Sequence, residues 1–426
     1  MRLRPTQLVR RIFLTLAALP LILVVALSLR LSYAWDYQHP RSRQALSAIP
    51  FLLEPGNIAV SLARGKGFGD PFRADTGPTA WTTPVYPLLV AGIFRIFGIY
   101  TFSSYVAAIL VNIFFSTLAC VPIFFAGKRI AGLGTAAIAA WLWAVWPNAI
   151  VFTVSIWDVS LSALLAAAIL WATLALTESP TLRGWVGYGL LWGFALMTNA
   201  TLASPLPFLL GWLAYRTRRI AHPALALAAA VLCCVPWTVR NYAVFHAFIP
   251  LRSVMGLQLW MGNNDETQGG WAGALHPIDN SADRERYVQM GEVAYMDAKK
   301  QEAIRFMIAD PWREVRLIRN RFVAFWSGGT ATPIQDFLHA RSLRYRGLLL
   351  FNLLAAIGAL FGIVALYRER SPHTFPASIF VIVYPLASYL TLASARYRLP
   401  VDPAILLLAA IALKKWGPPC RKSPTT

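Results

Sequence analysis

The chain has 426 residues, 57% of them hydrophobic, a mean hydropathy of +0.53 and a formal net charge of +20. Apolar runs of about 18–25 residues, the length that crosses hydrocarbon as a helix, exclude a soluble domain, and the absence of strand-like alternation excludes a membrane β-barrel. The positive charge sits in short clusters between apolar runs, as in the basic loops of membrane proteins, and no basic, stacking-rich module stands apart to bind nucleic acid.

The expected fold is all-α and polytopic, a single membrane domain over residues 1–426. The first apolar run follows Arg2, Arg4, Arg10 and Arg11 and reads as a retained span at 11–33, too long for a typical signal peptide and without a clear small-residue cleavage site. Further spans are expected at 102–126, 132–147, 150–176, 184–200, 201–216, 221–239, 346–367, 373–394 and 399–415, which makes ten. With ten spans the clusters at Lys128–Arg129, Arg183, Arg216–Arg219, Arg368–Arg370 and Lys414, Lys415, Arg421 and Lys422 all fall on the side of the N-terminus. That side is then the cytoplasm, with both termini there, as in a protein of the bacterial inner membrane.

Between the first two spans the segment Pro84–Gly98 is apolar but short and interrupted by Arg95, so it reads as a helix lying on the outer surface. A true span there would flip every later basic cluster outside. Two large extracytoplasmic pieces result, a first loop at 34–101 and a cap at 243–345. The cap holds two helices broken at Asp310–Pro311, the first with Ile304, Met307 and Ile308 recurring on one face, the second basic and ending in aromatics, suited to the membrane surface. The cysteines, Cys120, Cys233, Cys234 and Cys420, have no zinc-like spacing.

Charge at the outer ends of the spans points to chemistry. Asp158 stands in an otherwise apolar stretch, where a carboxylate faces a cavity or partner, or caps its helix. The first loop supplies Glu54, Asp70 and Asp75; its "ARGKGFG" matches neither nucleotide fingerprint. Opposite them stand Arg240 and Asn241 in "PWTVRNY", and Arg396, Tyr397 and Arg398 in "ASARYRLPVDP". A guanidinium is a planar, permanently charged fork suited to phosphate. In "GNNDETQGGW", Asn263, Asn264, Asp265 and Glu266 form a polar turn that could touch an acceptor, although its spacing fails the EF-hand pattern. Trp81, Tyr86, Trp260 and Trp271 could stack on sugar rings, whereas Trp141 and Trp171 read as packing or lipid-facing residues.

These pieces carry a family likeness. "EPGNIAVSLARGKGF", "GPTAWTTPVYPLLVAGIFRIFG", "SIWDVSLSALL", "PWTVRNY", "GLQLWMGNNDETQGGW" and "RYRLPVDPAILLL", in that order, resemble the glycosyltransferase C superfamily. Within it the chain is most similar to the bacterial family 39 proteins related to protein O-mannosyltransferases and the lipid A aminoarabinose transferase. The resemblance implies transfer of a sugar from a polyprenyl-phosphate donor to a lipid, glycan or protein acceptor at the outer face. It assigns Glu54 as base or acceptor-orienting residue with Asp70 as its rival, and Asp158 as a second acid. Arg240, Arg396 and Arg398 are the expected donor-phosphate ligands, and Asp70, Asn241, Asn263, Asn264 and Tyr397 the acceptor or sugar contacts. The family often has an Asp or Asp-Glu pair where this chain reads "LLEPGNIA". A hard divalent ion (Mg, Mn or Ca) could bridge carboxylates and phosphate, but no dedicated metal motif is present. A lipid or glycan transporter and a non-catalytic envelope scaffold are the competing functions. Glycosyl transfer requires Glu54 or Asp158 to share one outer cavity with Arg396 or Arg398; transport requires a polar path to the cytoplasmic side.

Overall fold

The computed structural model describes residues 5–39, 41–267, 273–329 and 342–416; among these the fold is helical, with one isolated bridge pairing Gly69 and Pro78. Trp271 and the basic residues Arg2, Arg4, Arg421 and Lys422 lie outside the described residues.

Five helices are long and apolar enough to cross a membrane: Leu19–Gln38, Phe102–Ala131, Val159–Glu178, Ala221–Phe245 and Tyr345–Arg368. A sixth arises if Leu133–Ala144 and Pro147–Val154, bent by 51°, count as one span. The other expected spans are helical but shorter: Leu182–Thr198 with 17 residues, Leu206–Thr217 with 12, Asp402–Trp416 with 15, and a broken pair, Thr374–Val383 and Leu386–Leu390. The expected span at 150–176 starts later, because Phe152–Val154 is a 3-10 turn and regular helix begins only at Val159.

Val159–Glu178 is the most buried of the five. Asp402–Trp416 packs on Leu343–Arg368 and Leu133–Ala144. Leu182–Thr198 lies against Ala221–Phe245 at a contact that only glycine permits: a Cβ on Gly189 would meet the Ala226 carbonyl oxygen at 2.2 Å. Close backbone approach through small residues is how helices associate where lipid replaces the hydrophobic drive.

Two buried arginines brace the bundle. Arg30 donates to Ser116 Oγ (2.8 Å) and to the carbonyls of Ala144 (2.9 Å) and Trp143 (3.2 Å), the last two residues of a helix whose C-terminal carbonyls lack partners in the helix itself. Arg398 pairs with Asp402 one turn on. The ion pairs Arg129–Glu178 and Lys415–Glu369, with Lys414 donating to the Ala131 carbonyl, gather basic helix ends on one face. Asp158 and Glu178 bound opposite ends of the same helix, so this basic face lies away from Asp158.

The first loop forms the helices Glu54–Ala63 and Val85–Phe97, packed on each other. The second, at 13 residues, is the short helix expected around Arg95. The cap contains Met255–Gly262, Ser281–Met290, Glu292–Ala309 and Pro311–Ser327. The expected break holds: Asp310 caps the last helix by accepting from Arg313 N at 2.9 Å, and Pro311 opens it. Trp312, Val315 and Phe322 of that helix face outward beside Arg316 and Arg319.

Loop and cap are joined by buried Glu292. Its carboxylate accepts from Thr79 Oγ1, from Ala80 N at 2.7 Å and from Tyr287 Oη at 2.7 Å. Phe72, Trp81, Tyr287 and Tyr295 pack edge to face around this joint. The cap itself closes at Gly256, where a Cβ would lie 1.9 Å from the Met296 carbonyl oxygen. Gly256→Ala therefore forces Met255–Gly262 off Glu292–Ala309. The expected loss of stability is at least the ~1–3 kcal/mol typical of overpacking, read as a lowered thermal midpoint in detergent; an unchanged midpoint contradicts the close packing.

Candidate active site

A cavity of about 360 Å3 opens where the first loop, the cap and the helix ends of the bundle meet. Glu54, Asp158, Arg396 and Tyr397 all line it, together with Trp81, Trp157, Asn199, Arg252, His276 and Tyr384.

Glu54 opens its helix, after extended Leu53 and before Pro55, so its carboxylate sits at the positive end of the helix dipole. It is 5% exposed. Oε1 stands 3.1 Å from His276 Nε2. Burial pushes the Glu54 pKa upward, but the hydrogen bond and attraction of His276, a backbone hydrogen bond and the charge of Arg396 outweigh it and hold it below the ordinary carboxylate value.

Asp158 occupies the N-cap position of Val159–Glu178 but does not cap it with its side chain. Oδ2 instead accepts from Ser162 Oγ at 2.7 Å and Asn199 Nδ2 at 3.1 Å, and Asn199 also donates to Ser162 Oγ at 3.2 Å. Just outside the span, its pKa is raised by burial, against the Ser162 hydrogen bond and the charges of Arg396 and Arg252. The two carboxylates are thus pushed apart in acidity, the usual arrangement when paired acids take different roles.

Arg396 lies over the Trp157 ring, with Cζ 4.3 Å from its centroid, and donates to Tyr397 Oη at 2.9 Å. Burial disfavours its charge, but Tyr397, Glu54 and Asp158 more than compensate. Arg252 reaches in from the cap, with only long contacts of 3.4 Å to Thr201 Oγ1 and Gln258 Oε1. Two guanidinium groups thus share one cavity with two carboxylates.

Other residues singled out in the sequence are placed elsewhere. Arg398 is fully buried outside the cavity, donating to Asp402 Oδ1 (2.8 Å), Trp326 O (2.5 Å) and Asn352 O (3.2 Å). Its donors are consumed by the fold, so the expectation of a phosphate ligand gives way to a structural brace. Arg240 is likewise used, tying Phe68 O and Thr79 O at 2.7 Å each. Asp70 folds its own loop by accepting from Ser61 Oγ, Thr76 N and Gly77 N at 2.9 Å each, which removes it as a rival to Glu54 within this cavity. Asn241 donates to Ile249 O at 2.9 Å, Asn263 to Leu259 O at 2.8 Å and Leu390 O at 2.9 Å, and Asn264 to Trp260 O at 2.9 Å, all away from the cavity. Tyr86 is buried against Asn112 and Trp260 lies under Lys299, so neither reaches the cavity.

His276, Arg252, Asn199 and Trp157 carried no sequence signal of their own. A lone histidine in a polar loop and an asparagine at a helix end read as ordinary loop and cap residues.

Among the described residues no three His, Cys, Asp or Glu side chains come together as a metal site. Glu54 has one histidine beside it and Asp158 a serine and an asparagine, which does not fit the divalent ion expected to bridge carboxylates and phosphate.

Residues 81–239 match the family profile described as dolichyl-phosphate-mannose-protein mannosyltransferase. The segment contains Asp158 and Asn199; Glu54, His276 and Arg396 lie outside it. The fold is similar to that of the oligosaccharyltransferase AglB from Archaeoglobus fulgidus. The structure with an inhibitory peptide and a dolichol-phosphate aligns at TM-score 0.56 and 14% identity over 95% of this chain and 50% of that one. The structure with Zn and sulfate aligns at TM-score 0.56 and 13% identity over 93% and 49%. The chain thus spans about half the length of that enzyme. ArnT from Cupriavidus metallidurans bound to undecaprenyl phosphate aligns at TM-score 0.38 and 15% identity over 95% of this chain and 78% of that one. No curated protein matches the sequence. The likeness to glycosyltransferase C proteins read in the sequence is met by the family profile and by the fold.

The placement of Arg398 changes the expected effect of its removal. Arg398→Ala leaves Asp402 buried without its ion partner, a loss of ~3–5 kcal/mol, and the thermal midpoint falls. Replacing both residues together by Met and Leu recovers much of it. A stable Arg398→Ala protein with weakened lipid-phosphate binding would contradict the brace.

Proposed function

We propose that this chain is an integral membrane glycosyltransferase. It moves a sugar from a polyprenyl-phosphate donor to a lipid, glycan or protein acceptor at the extracytoplasmic face of a bacterial inner membrane. The convergence of Glu54, Asp158 and Arg396 on one cavity carries this reading. The AglB fold was solved with a dolichol-phosphate, which supports a lipid-phosphate ligand for the shared architecture.

Glu54, held ionised, draws the proton from the acceptor hydroxyl. The acceptor oxygen bonds to the anomeric carbon as the bond from that carbon to the phosphate oxygen breaks, inverting the centre. Polyprenyl phosphate leaves with the bonding pair, and Arg396, seconded by Arg252, stabilises its charge. Asp158, oriented by Ser162 and Asn199, positions the acceptor or sugar hydroxyls. Trp81 and Trp157 line the cavity that receives the sugar. No step is routed through a metal ion.

The topology proposed with this chemistry has ten membrane crossings, the shorter helices included, with both termini in the cytoplasm. The gathering of basic helix ends on the face away from Asp158 supports it. The first loop and the cap then roof the cavity on the outer side.

The test is transfer by protein in nanodiscs, with a panel of radiolabelled polyprenyl-phosphate sugars and a membrane extract as acceptor. Glu54→Gln is expected to lower turnover by ~10²–10⁴-fold, with Asp158→Asn also strongly impaired and the fold retained. Arg396→Ala raises the donor KM and lowers kcat. Near-normal turnover in all three variants sinks the site.

A further inference from the structure

His276 comes from the cap and meets Glu54 where that residue opens its helix in the first loop. Both side chains are almost fully buried, 4% and 7% exposed, with Nε2 3.1 Å from Oε1. The other ring nitrogen, Nδ1, accepts from the backbone N–H of Ile278 at 3.2 Å. A ring nitrogen that accepts carries no proton, so the ring's N–H is on Nε2 and is aimed at Glu54. The ring is also boxed edge to face by Trp81 and Phe72, with centroids 5.4 and 5.9 Å away. Tautomer and orientation are therefore set by cap backbone and packing, independently of the carboxylate they serve.

We propose that His276 is a positioning residue: its Nε2–H holds Oε1 of Glu54 and keeps the carboxylate ionised, leaving Oε2 to receive the acceptor proton. This rests on the reading of Glu54 as the base. A carboxylate this deeply buried with no donor keeps its own proton and cannot accept another. An N–H donor fixed on the carboxylate removes that obstacle. Because the donor belongs to the cap, the base becomes competent only with the cap seated on the first outer loop.

The other charged groups facing Glu54 do not replace this contact. Arg396 acts on it from the short helix ahead of Asp402–Trp416. Asp279, three residues after His276, is held 3.7 Å from Arg73. Asp158 and Arg252 line other parts of the cavity wall. Without His276, burial is the largest remaining influence on Glu54 and acts upward.

The test reads the protonation of Glu54 directly and needs no substrate. Infrared difference spectra of protein in nanodiscs are recorded against pH, and the carboxyl band absent from Glu54→Gln is assigned to Glu54. In wild type its midpoint is expected below the ordinary glutamate value of about 4.3. In His276→Ala the midpoint rises above that of wild type; in His276→Gln, whose side-chain N–H can still donate, most of the rise reverts. If His276→Ala fails to fold, the shorter His276→Asn leaves Oε1 without its donor and is expected to show the same rise. An unchanged midpoint in His276→Ala, or in Asn, overturns the proposal. The outcome is separable from the base assignment, which stands or falls on turnover of Glu54→Gln.

Discussion

The hydrogen bonds to Glu292 are the joint on which the cavity depends. One carboxylate collects a threonine hydroxyl, a backbone N–H and a tyrosine hydroxyl, and so fixes the Thr79–Trp81 stretch of the first loop to the cap. Charge-assisted bonds out of reach of water are strong, and removing one partner strands the others. Trp81 hangs directly from this joint, its N–H donating to Thr79 Oγ1 at 3.0 Å. His276 and Arg252 reach the cavity because the cap is held there, and Glu54 because the loop is. The bundle supplies Trp157, Asp158, Asn199, Tyr384 and the Arg396 corner.

The division of labour among arginines follows from what surrounds each. Arg240, Arg321 and Arg398 have both terminal nitrogens taken by oxygens of the fold: Arg321, for instance, reaches Tyr389 O at 3.0 Å, Asn263 Oδ1 at 2.6 Å and Glu314 Oε1 at 3.2 Å. Arg396 and Arg252 instead have loose or aromatic contacts and line open space. A guanidinium whose fork is not filled by the protein is the one able to receive a phosphate.

Much of the helical fold was legible, because apolar length is a strong signal and the caps at Asp310–Pro311 and Gly98 are local. Glu54, Asp158 and Arg396 were legible because a charge beside an apolar helix end is costly unless it is used. Arg398 misled for the same reason. The corrective cue is also in the sequence, since Arg398 and Asp402 are four residues apart and on one helical face. Arg240 offered no such cue: its partners, Phe68 and Thr79, are 172 and 161 residues away. His276 was illegible because its meaning comes from a carboxylate more than two hundred residues earlier. The lengths of the apolar runs also hid how short several helices are, since the turns at Phe152–Val154 and Ala200–Ala203 are as apolar as the helices they interrupt.

Arg30 sets a condition on how the protein is made. Its partners outside its own helix are Ser116, Trp143 and Ala144, the last 114 residues further along the chain. During synthesis the first helix enters the membrane with a guanidinium and nothing to receive it. It must stay beside the insertion machinery, or draw its charge toward the lipid surface, until the Leu133–Ala144 helix arrives. The arrival of those two carbonyls seals the first helix into the bundle. Burial of Arg30 therefore waits on a helix more than a hundred residues further along the chain.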